Sequence, residues 1–257
     1  MVGQIGPVAS STEEGKGMAV RLFQGLASSY DRTADWATLF QDRYWKEWVL
    51  ERFPDSKGGL ALDLGCGTLL LEGRLAGTKG KFIGLDLSKH MLRAGWAKAL
   101  PNVALLTRGD AERLPFPDES FDAVVSCYVA KYVNTVRFAD EIVRVTKPGG
   151  AVLVYDFIKP RGPAAPFLEL YIRAGLGVFG YLLSVSKRDS AFAFQNLPLI
   201  VDDALWDRDF VGIMERRGVQ TVNAEELTGG IVFAYCGRKL GSANNRADRM
   251  TDPNDTR

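Results

Sequence analysis

Residues 60–68, LALDLGCGT, limit what this chain can become more than any other stretch. The run of leucine and alanine reads as a strand buried on both faces, which needs helices on both sides of its sheet. It leads straight into two glycines, Gly65 and Gly67, with Cys66 between them. Glycine accepts unusual dihedrals and lets another group approach the backbone closely. In an open parallel sheet, ligands lie outside the carboxyl ends of the strands. Gly65 and Gly67 therefore stand where a ligand would press on the main chain, beside the free N–H groups of the next helix. Asp63, near the same end, is within reach of loop amides or water. A tight strand-to-helix turn with no ligand explains GCG alone equally well.

The pattern around this stretch alternates. GLALDLG, KFIGLDL, NVALLTRGD, FDAVVSCYV and GAVLVYDF read as strands. TLLLEGRLAG, SKHMLRAGWAKAL (capped by Ser88) and TVRFADEIVRVT read as helices, the last stopped by KPGG. Such alternation predicts an α/β fold with a mostly parallel sheet wrapped by helices. The end differs: DDALWDRDFVGIMERRG reads as a helix, then VQTVNAEEL and GGIVFAYCGRKL as an antiparallel pair closing the sheet. Residues 1–17 and 241–257 are polar enough to read as loose tails on a single domain over 18–240.

Charge and cysteine usage narrow the function classes. The formal net charge of +1 gives no global argument for nucleic acid. Three widely spaced cysteines, Cys66, Cys127 and Cys236, lack metal-type pairing and suit a reducing, cytoplasmic setting. No metal site is expected. No run is long and uncharged enough to span a bilayer, and residues 163–186 come nearest. That segment is apolar on every helical face, which fits a prenyl tail, a peripheral membrane contact or a homodimer interface.

The second strand ends in Asp86, about twenty residues after the glycines, where an acid accepts hydrogen bonds from ribose hydroxyls. Leu70 stands where a dinucleotide fingerprint has its third glycine, so the ligand is read as a nucleoside without a pyrophosphate. Asp110, in GDAERLPFPDESFD, ends the third strand in reach of an exocyclic amine, although a charged surface loop is the plainer reading of it alone. The one histidine, His90, reads as a solvated helix residue.

LDLGCGT, GLDLSKHML, GDAERLPFPDESFD and VTKPGG, in this order, resemble the motif set of class I S-adenosylmethionine-dependent methyltransferases, over roughly residues 59–157. The resemblance implies a Rossmann-like, seven-stranded, mostly parallel sheet with a reversed last strand. It also implies a helical cap near residues 18–54 and 162–200. S-adenosylmethionine would be the cofactor and S-adenosylhomocysteine the product. Gly65, Gly67 and Thr68 would line the methionine part, Asp86 the ribose, and Asp110 and Ala111 the adenine. Asp63, Cys66, Leu87, Met91, Cys127 and Tyr30 complete the implied cofactor-binding set.

Flanking motifs carry a narrower resemblance. VRLFQGLASSYDR with DRYWKEW, YDFIKP, and ELTGGIVFAYCGRK look like segments of the ubiquinone/menaquinone biosynthesis C-methyltransferases. The implied acceptor is a prenylated quinol methylated at ring carbon, with Tyr30, Lys131, Tyr132 and Asp156 as catalytic candidates beside Asp31. The quinone enzymes carry an Arg–Asn pair after the fourth strand, where this chain has Lys131 and Tyr132. Lysine keeps the charge without the planar fork, and is expected to hold the acceptor's oxygen as negative charge develops. The departure leaves room for a different head group or another small molecule methylated at O or N. A protein that binds the donor without turnover is the rival from another class. Phe23, Leu26 and Tyr30, then Trp45, Trp48 and Val49, are candidates for the acceptor pocket, with core packing the stronger reading for the two tryptophans.

Overall fold

Strand β1 (Leu60–Leu64) pairs in parallel on both sides, with β2 (Lys81–Asp86) and with β4 (Phe121–Cys127). Its side chains alternate accordingly. Leu62 and Leu64 enter one core cluster and Ala61 enters the other. In the computed structural model, residues 13–24, 27, 30–54, 58–76, 80–161, 163, 165–170, 201 and 206–241 are described. Their seven strands run in the order β3-β2-β1-β4-β5-β7-β6, with β3 at Val103–Arg108, β5 at Thr146–Phe157, β6 at Val219–Leu227 and β7 at Val232–Lys239. Only β7 runs against its neighbours β5 and β6. This is the Rossmann-like sheet with a reversed last strand that the motifs imply.

Helices cover both faces. On one side α6 (Thr135–Val145) inserts Phe138, Ile142 and Val145, none of them exposed, and α7 (Asp207–Arg216) inserts Phe210 and Met214. Asn134 caps α6 by accepting from the Arg137 amide at 3.1 Å. On the other side α3 (Gln41–Arg52) buries Trp45, Trp48 and Val49 beside α4 (Leu70–Arg74). Both indoles are core, and both are anchored to the terminal hairpin. Trp45 Nε1 donates to Thr228 Oγ1 at 2.8 Å, and Trp48 Nε1 to Glu225 Oε1 at 2.6 Å.

Three boundaries move from where the sequence puts them. The loose N-terminal tail does not reach residue 17: α1 spans Glu13–Gln24, and Lys16 is buried because two carboxylates receive its ammonium. KPGG lies within β5, where the register steps from Phe121↔Thr146 to Ala123↔Ala151 and the intervening residues bulge out. The helix after the glycine turn is only α4, five residues long. Residues 242–257, and 171–186 of the apolar segment, lie outside the described residues. Among the described residues, no helix is long and apolar enough to cross a membrane.

Among the described residues, α1 and α2 (Tyr30–Ala37) form the cap, continued by α3 on the sheet face; of the second cap segment expected at 162–200, only residues 163 and 165–170 are described. Helix α1 touches both α5 (Lys89–Trp96) and a 3-10 turn at Ala130–Tyr132. It thus crosses the carboxyl ends of the strands between β2 and β4.

Candidate active site

The glycine turn is built as a left-handed loop. Gly65 has φ 75 and Gly67 φ 55. Gly65 and Cys66 both donate their amides to Leu85 O, at 2.7 and 3.1 Å, which straps the loop to the end of β2. A Cβ on Gly65 would stand 2.2 Å from Val129 Cγ2, so the exit of β4 leaves no room for a side chain. Leu69 continues the loop at φ 65, a conformation that costs a non-glycine residue about 1–2 kcal/mol. Its buried side chain offsets that by packing where α5 has Gly95.

Asp86 follows at the end of β2. Its Oδ2 accepts from Gly67 N at 2.9 Å and its Oδ1 from Ser88 N at 2.7 Å. Burial raises its pKa, and those amides pull it back. Each oxygen keeps a further lone pair for a ligand hydroxyl. Past β3, Asp110 Oδ1 accepts from the Glu112 amide at 2.9 Å, and its Oδ2 meets Lys16 Nζ at 2.8 Å. Lys16 also meets Glu112 Oε1 at 2.9 Å. Burial lowers the Lys16 pKa and the two carboxylates more than reverse this.

A cavity runs along these carboxyl ends. Its walls include Tyr30, Gly65, Gly67, Asp86, Leu87, Met91, Asp110, Ala111, Cys127 and Tyr132, all of them expected site residues. Strand order spaces the groups across it: Asp110 beyond β3, Asp86 on β2, the glycines on β1, and Cys127 to Tyr132 beyond β4. The β4 end is aromatic, with Phe23 edge-on to both Tyr30 and Tyr132 and with Tyr128 beside them.

Six expected site residues, Asp31 among them, do not line the cavity. Lys131 and Asp156 form a fully buried pair instead, Nζ to Oδ1 at 2.7 Å. Lys131 Nζ also donates to Tyr128 O at 2.8 Å and lies over the Tyr132 ring. Burial presses both groups toward their neutral forms, and each counters it for the other. The expectation that Lys131 offers its ammonium to an acceptor therefore fails here, because the ammonium already has partners. Thr68 turns away too: its hydroxyl donates to Asp31 Oδ1 at 2.6 Å, and Asp31 Oδ2 pairs with Lys98. Cys66 points its sulfur at Gly84, and burial pushes its thiol well up. Asp63 lies under the loop, where Glu72 from α4 is its neighbour. Burial and Glu72 hold the Asp63 carboxyl well above its usual range, and burial raises Glu72 to about 7.

Sequence reasoning missed Lys16, Asp42, Lys46 and Tyr128. Tyr128 sits at φ 67 as the chain leaves β4, and its hydroxyl donates to Asp42 Oδ1 at 2.6 Å. Asp42 is 2 % exposed and pairs with Lys46 one helical turn on. A bulky residue in the left-handed region is the kind of strain that collects at functional sites.

Comparison with known proteins agrees with this geometry. The sequence matches the ubiE/COQ5 methyltransferase family over residues 11–239. The chain belongs to the ubiE/COQ5 methyltransferase family. It is an S-adenosylmethionine-dependent methyltransferase. Relatives in curated collections include the demethylmenaquinone methyltransferase of Beutenbergia cavernae, 33% identical over 231 residues, covering 89% of this chain and 93% of that one. Another is that of Mycobacterium tuberculosis, 34% identical over 225 residues, covering 86% and 92%. Solved structures share the fold. A SAM dependent methyltransferase from Aquifex aeolicus superposes with a TM-score of 0.52 at 20% identity, covering 76% of this chain and 89% of its own. Haemonchus contortus phosphoethanolamine N-methyltransferase 2 does so with 0.55 at 17%, covering 77% and 53%.

The cavity of this ubiE/COQ5 methyltransferase suits its donor. Asp86 offers two carboxylate oxygens with lone pairs to spare, and Leu87, Met91 and Ala111 supply an apolar slot beside it. When bound, the donor supplies a methyl group on a positively charged sulfur, already activated for transfer.

Proposed function

We propose that the acceptor is a prenylated quinol, and that the enzyme methylates one of its ring carbons late in respiratory quinone synthesis. The observation that carries this is the aromatic wall of Phe23, Tyr30, Tyr128 and Tyr132 at the β4 end of the cavity, a surface for a flat ring. The naming of full-length relatives as demethylmenaquinone methyltransferases supports it. In this reading Asp86 takes the donor's ribose hydroxyls, Asp110 and Ala111 receive the adenine, and the Gly65–Gly67 backbone receives the methionine end. S-adenosylhomocysteine leaves as product. The chain's own part is to hold the ring in line with the methyl and to exclude water.

A prenyl tail partitions into lipid, so the reading includes a peripheral membrane contact. Trp36, Leu39, Phe40 and Tyr44, at the corner between α2 and α3, are exposed and give such a contact an apolar surface.

The test is direct. Purified enzyme with S-adenosylmethionine and reduced demethylmenaquinone should yield a quinol heavier by one methylene, with the methyl on ring carbon by fragmentation. Methyl on oxygen, or turnover only with amines or phospholipids, would overturn the assignment. Donor binding with no S-adenosylhomocysteine formed from any of these acceptors would point to a binding protein.

A further inference from the structure

We propose that Tyr128 and Asp42 form the route by which the acceptor's hydroxyl proton leaves, with Tyr128 as the catalytic group and Asp42 as the positioning residue that receives the proton through it. This rests on the quinol reading above. Tyr128 lines the cavity beside Tyr30 and Tyr132, and its hydroxyl is joined to Asp42 Oδ1 at 2.6 Å. Asp42 is buried behind the cavity wall and joined to it by that phenol. A buried carboxylate is costly unless paired, and Lys46 supplies the pair. The cluster thus keeps a negative charge one hydrogen bond behind the acceptor wall.

The ring is held firmly. Tyr155 lies edge-on to it at 5.0 Å, and Phe157 lies at 5.2 Å. Lys46 and Lys131 each stand within 5.5 Å of its centroid, which favours negative charge on the phenol as a proton passes. The left-handed backbone at Tyr128 is what turns the side chain from the end of β4 toward α3. Next to it, Tyr132 lines the same cavity, and its buried hydroxyl has no hydrogen-bond partner among the described residues.

The balance closes. A quinol hydroxyl gives its proton to Tyr128 Oη while Tyr128 gives its own to Asp42. The ring carbon, made nucleophilic, takes the methyl group, and the electron pair of the methyl–sulfur bond stays on sulfur. The methylated carbon then loses its hydrogen as a proton to solvent. The ring carbonyl recovers a proton from Tyr128 as Asp42 returns its own. One proton is released per turnover, and Asp42 ends as it began. Burial and Asp42 keep the Tyr128 phenol well above its usual range, so it enters the cycle protonated. The titratable and charged groups facing this pair are Lys46 and Arg43 from α3, Tyr30 from α2, Cys127 from β4, Tyr155 from β5 and Lys131 from the turn.

Single-turnover methyl transfer to reduced demethylmenaquinone, from pH 7 to pH 9, tests this with the whole enzyme. Tyr128→Phe leaves the Asp42–Lys46 pair intact, so it is the variant that keeps its fold. It should lose about a hundredfold in rate at pH 7, with donor affinity by calorimetry within about twofold of the parent. Its rate should then climb about tenfold per pH unit toward the quinol's own ionisation near 10, more steeply than the parent's. Asp42→Asn should show the same slope. A Tyr128→Phe rate close to the parent's, or a loss that runs parallel to the parent at every pH, overturns the relay while leaving the acceptor assignment standing. A parent that does not methylate this quinol overturns both.

Discussion

The two ends of the cavity are held by different kinds of bond. At the end assigned to the donor, main-chain amides do most of the fixing: those of Gly67 and Ser88 donate to Asp86, and those of Gly65 and Cys66 to Leu85 O, with the Lys16–Asp110 ion pair farther along. At the acceptor end the fixing bonds join side chains: Tyr128 to Asp42, Asp42 to Lys46, Lys131 to Asp156. Backbone bonds tolerate loss of a side chain, because the loop keeps its shape from the main chain. Buried ion pairs do not, because the abandoned partner is left charged and dry. Damage at the donor end should therefore appear in affinity, and damage at the acceptor end first in stability.

Lys131→Met is the most severe way to break this comparison. Asp156 would be left unpaired and fully buried, at a cost of about 3–5 kcal/mol. Thermal melting should fall by roughly 6–20 °C, while the folded fraction binds the donor with parental affinity. A variant with the parental melting temperature would show that the acceptor wall is not held by its ion pair.

Asp86→Ala is the complementary case. Two lost charge-assisted hydrogen bonds to ribose hydroxyls, at about 1.5–3 kcal/mol each, should weaken donor binding by at least about a hundredfold. Calorimetry of a folded variant checks this, and unchanged affinity would remove Asp86 from the donor site.

Glu72→Gln sharpens the comparison, because Glu72 and Asp63 are the donor end's own buried carboxyls. Glu72 has its pKa raised to about 7 in the folded state. The folded chain therefore holds that proton more tightly than the unfolded one, and stability contributed by the protonated form is lost as pH rises from the ordinary carboxyl value of 4.5 through about 7. The parent should lose about 3 kcal/mol across that window, relative to Glu72→Gln, in urea melts at successive pH values. Parallel profiles for the two proteins would contradict this.

Gly95→Ala has the smallest expected effect. The new methyl would stand 2.9 Å from Leu69 Cγ and 3.3 Å from Gly67 O. Overpacking of this kind costs about 1–3 kcal/mol, and the shift of the loop should weaken donor binding several-fold. If stability is unchanged, Leu69 has room to move and its left-handed backbone does not depend on Gly95.

The same contrast explains what was legible in the sequence. Gly65, Gly67, Asp86 and Asp110 each sit at the end of a recognisable strand, so strand counting alone brings them to one line. The mostly parallel sheet followed from the alternation of short apolar runs with helical periods and the closing antiparallel pair from the last two runs, while the reversed last strand followed from the family resemblance; the order β3-β2-β1-β4-β5-β7-β6 comes from the structure. Asp42 gave no signal, since an acid in the first turn of a charged helix looks solvated. Its partner Tyr128 is 86 residues away. Thr68 was read as a ligand contact because the family resemblance implies it, and the position of Asp31, 37 residues earlier, shows where its hydroxyl goes. Lys131 was expected to face the acceptor, but its direction depends on Asp156 emerging from the next strand.

The position of β7 has a consequence for how the chain is made. Residues Ala151–Phe157 of β5 take their second neighbour from Val232–Arg238, and β6, although made earlier, bonds only to β7. At ordinary translation rates of about 5–20 residues per second, the roughly 75 residues between the two strands take about 4–15 s to synthesise. During that interval the edge of β5, carrying Val152, Leu153, Val154 and Tyr155, has no strand to cover it. An open, apolar edge is a template for pairing with another chain. The nascent protein thus passes through its most aggregation-prone form with nearly all of its sheet already in place, and the penultimate strand of the finished sheet is the last one to leave the ribosome.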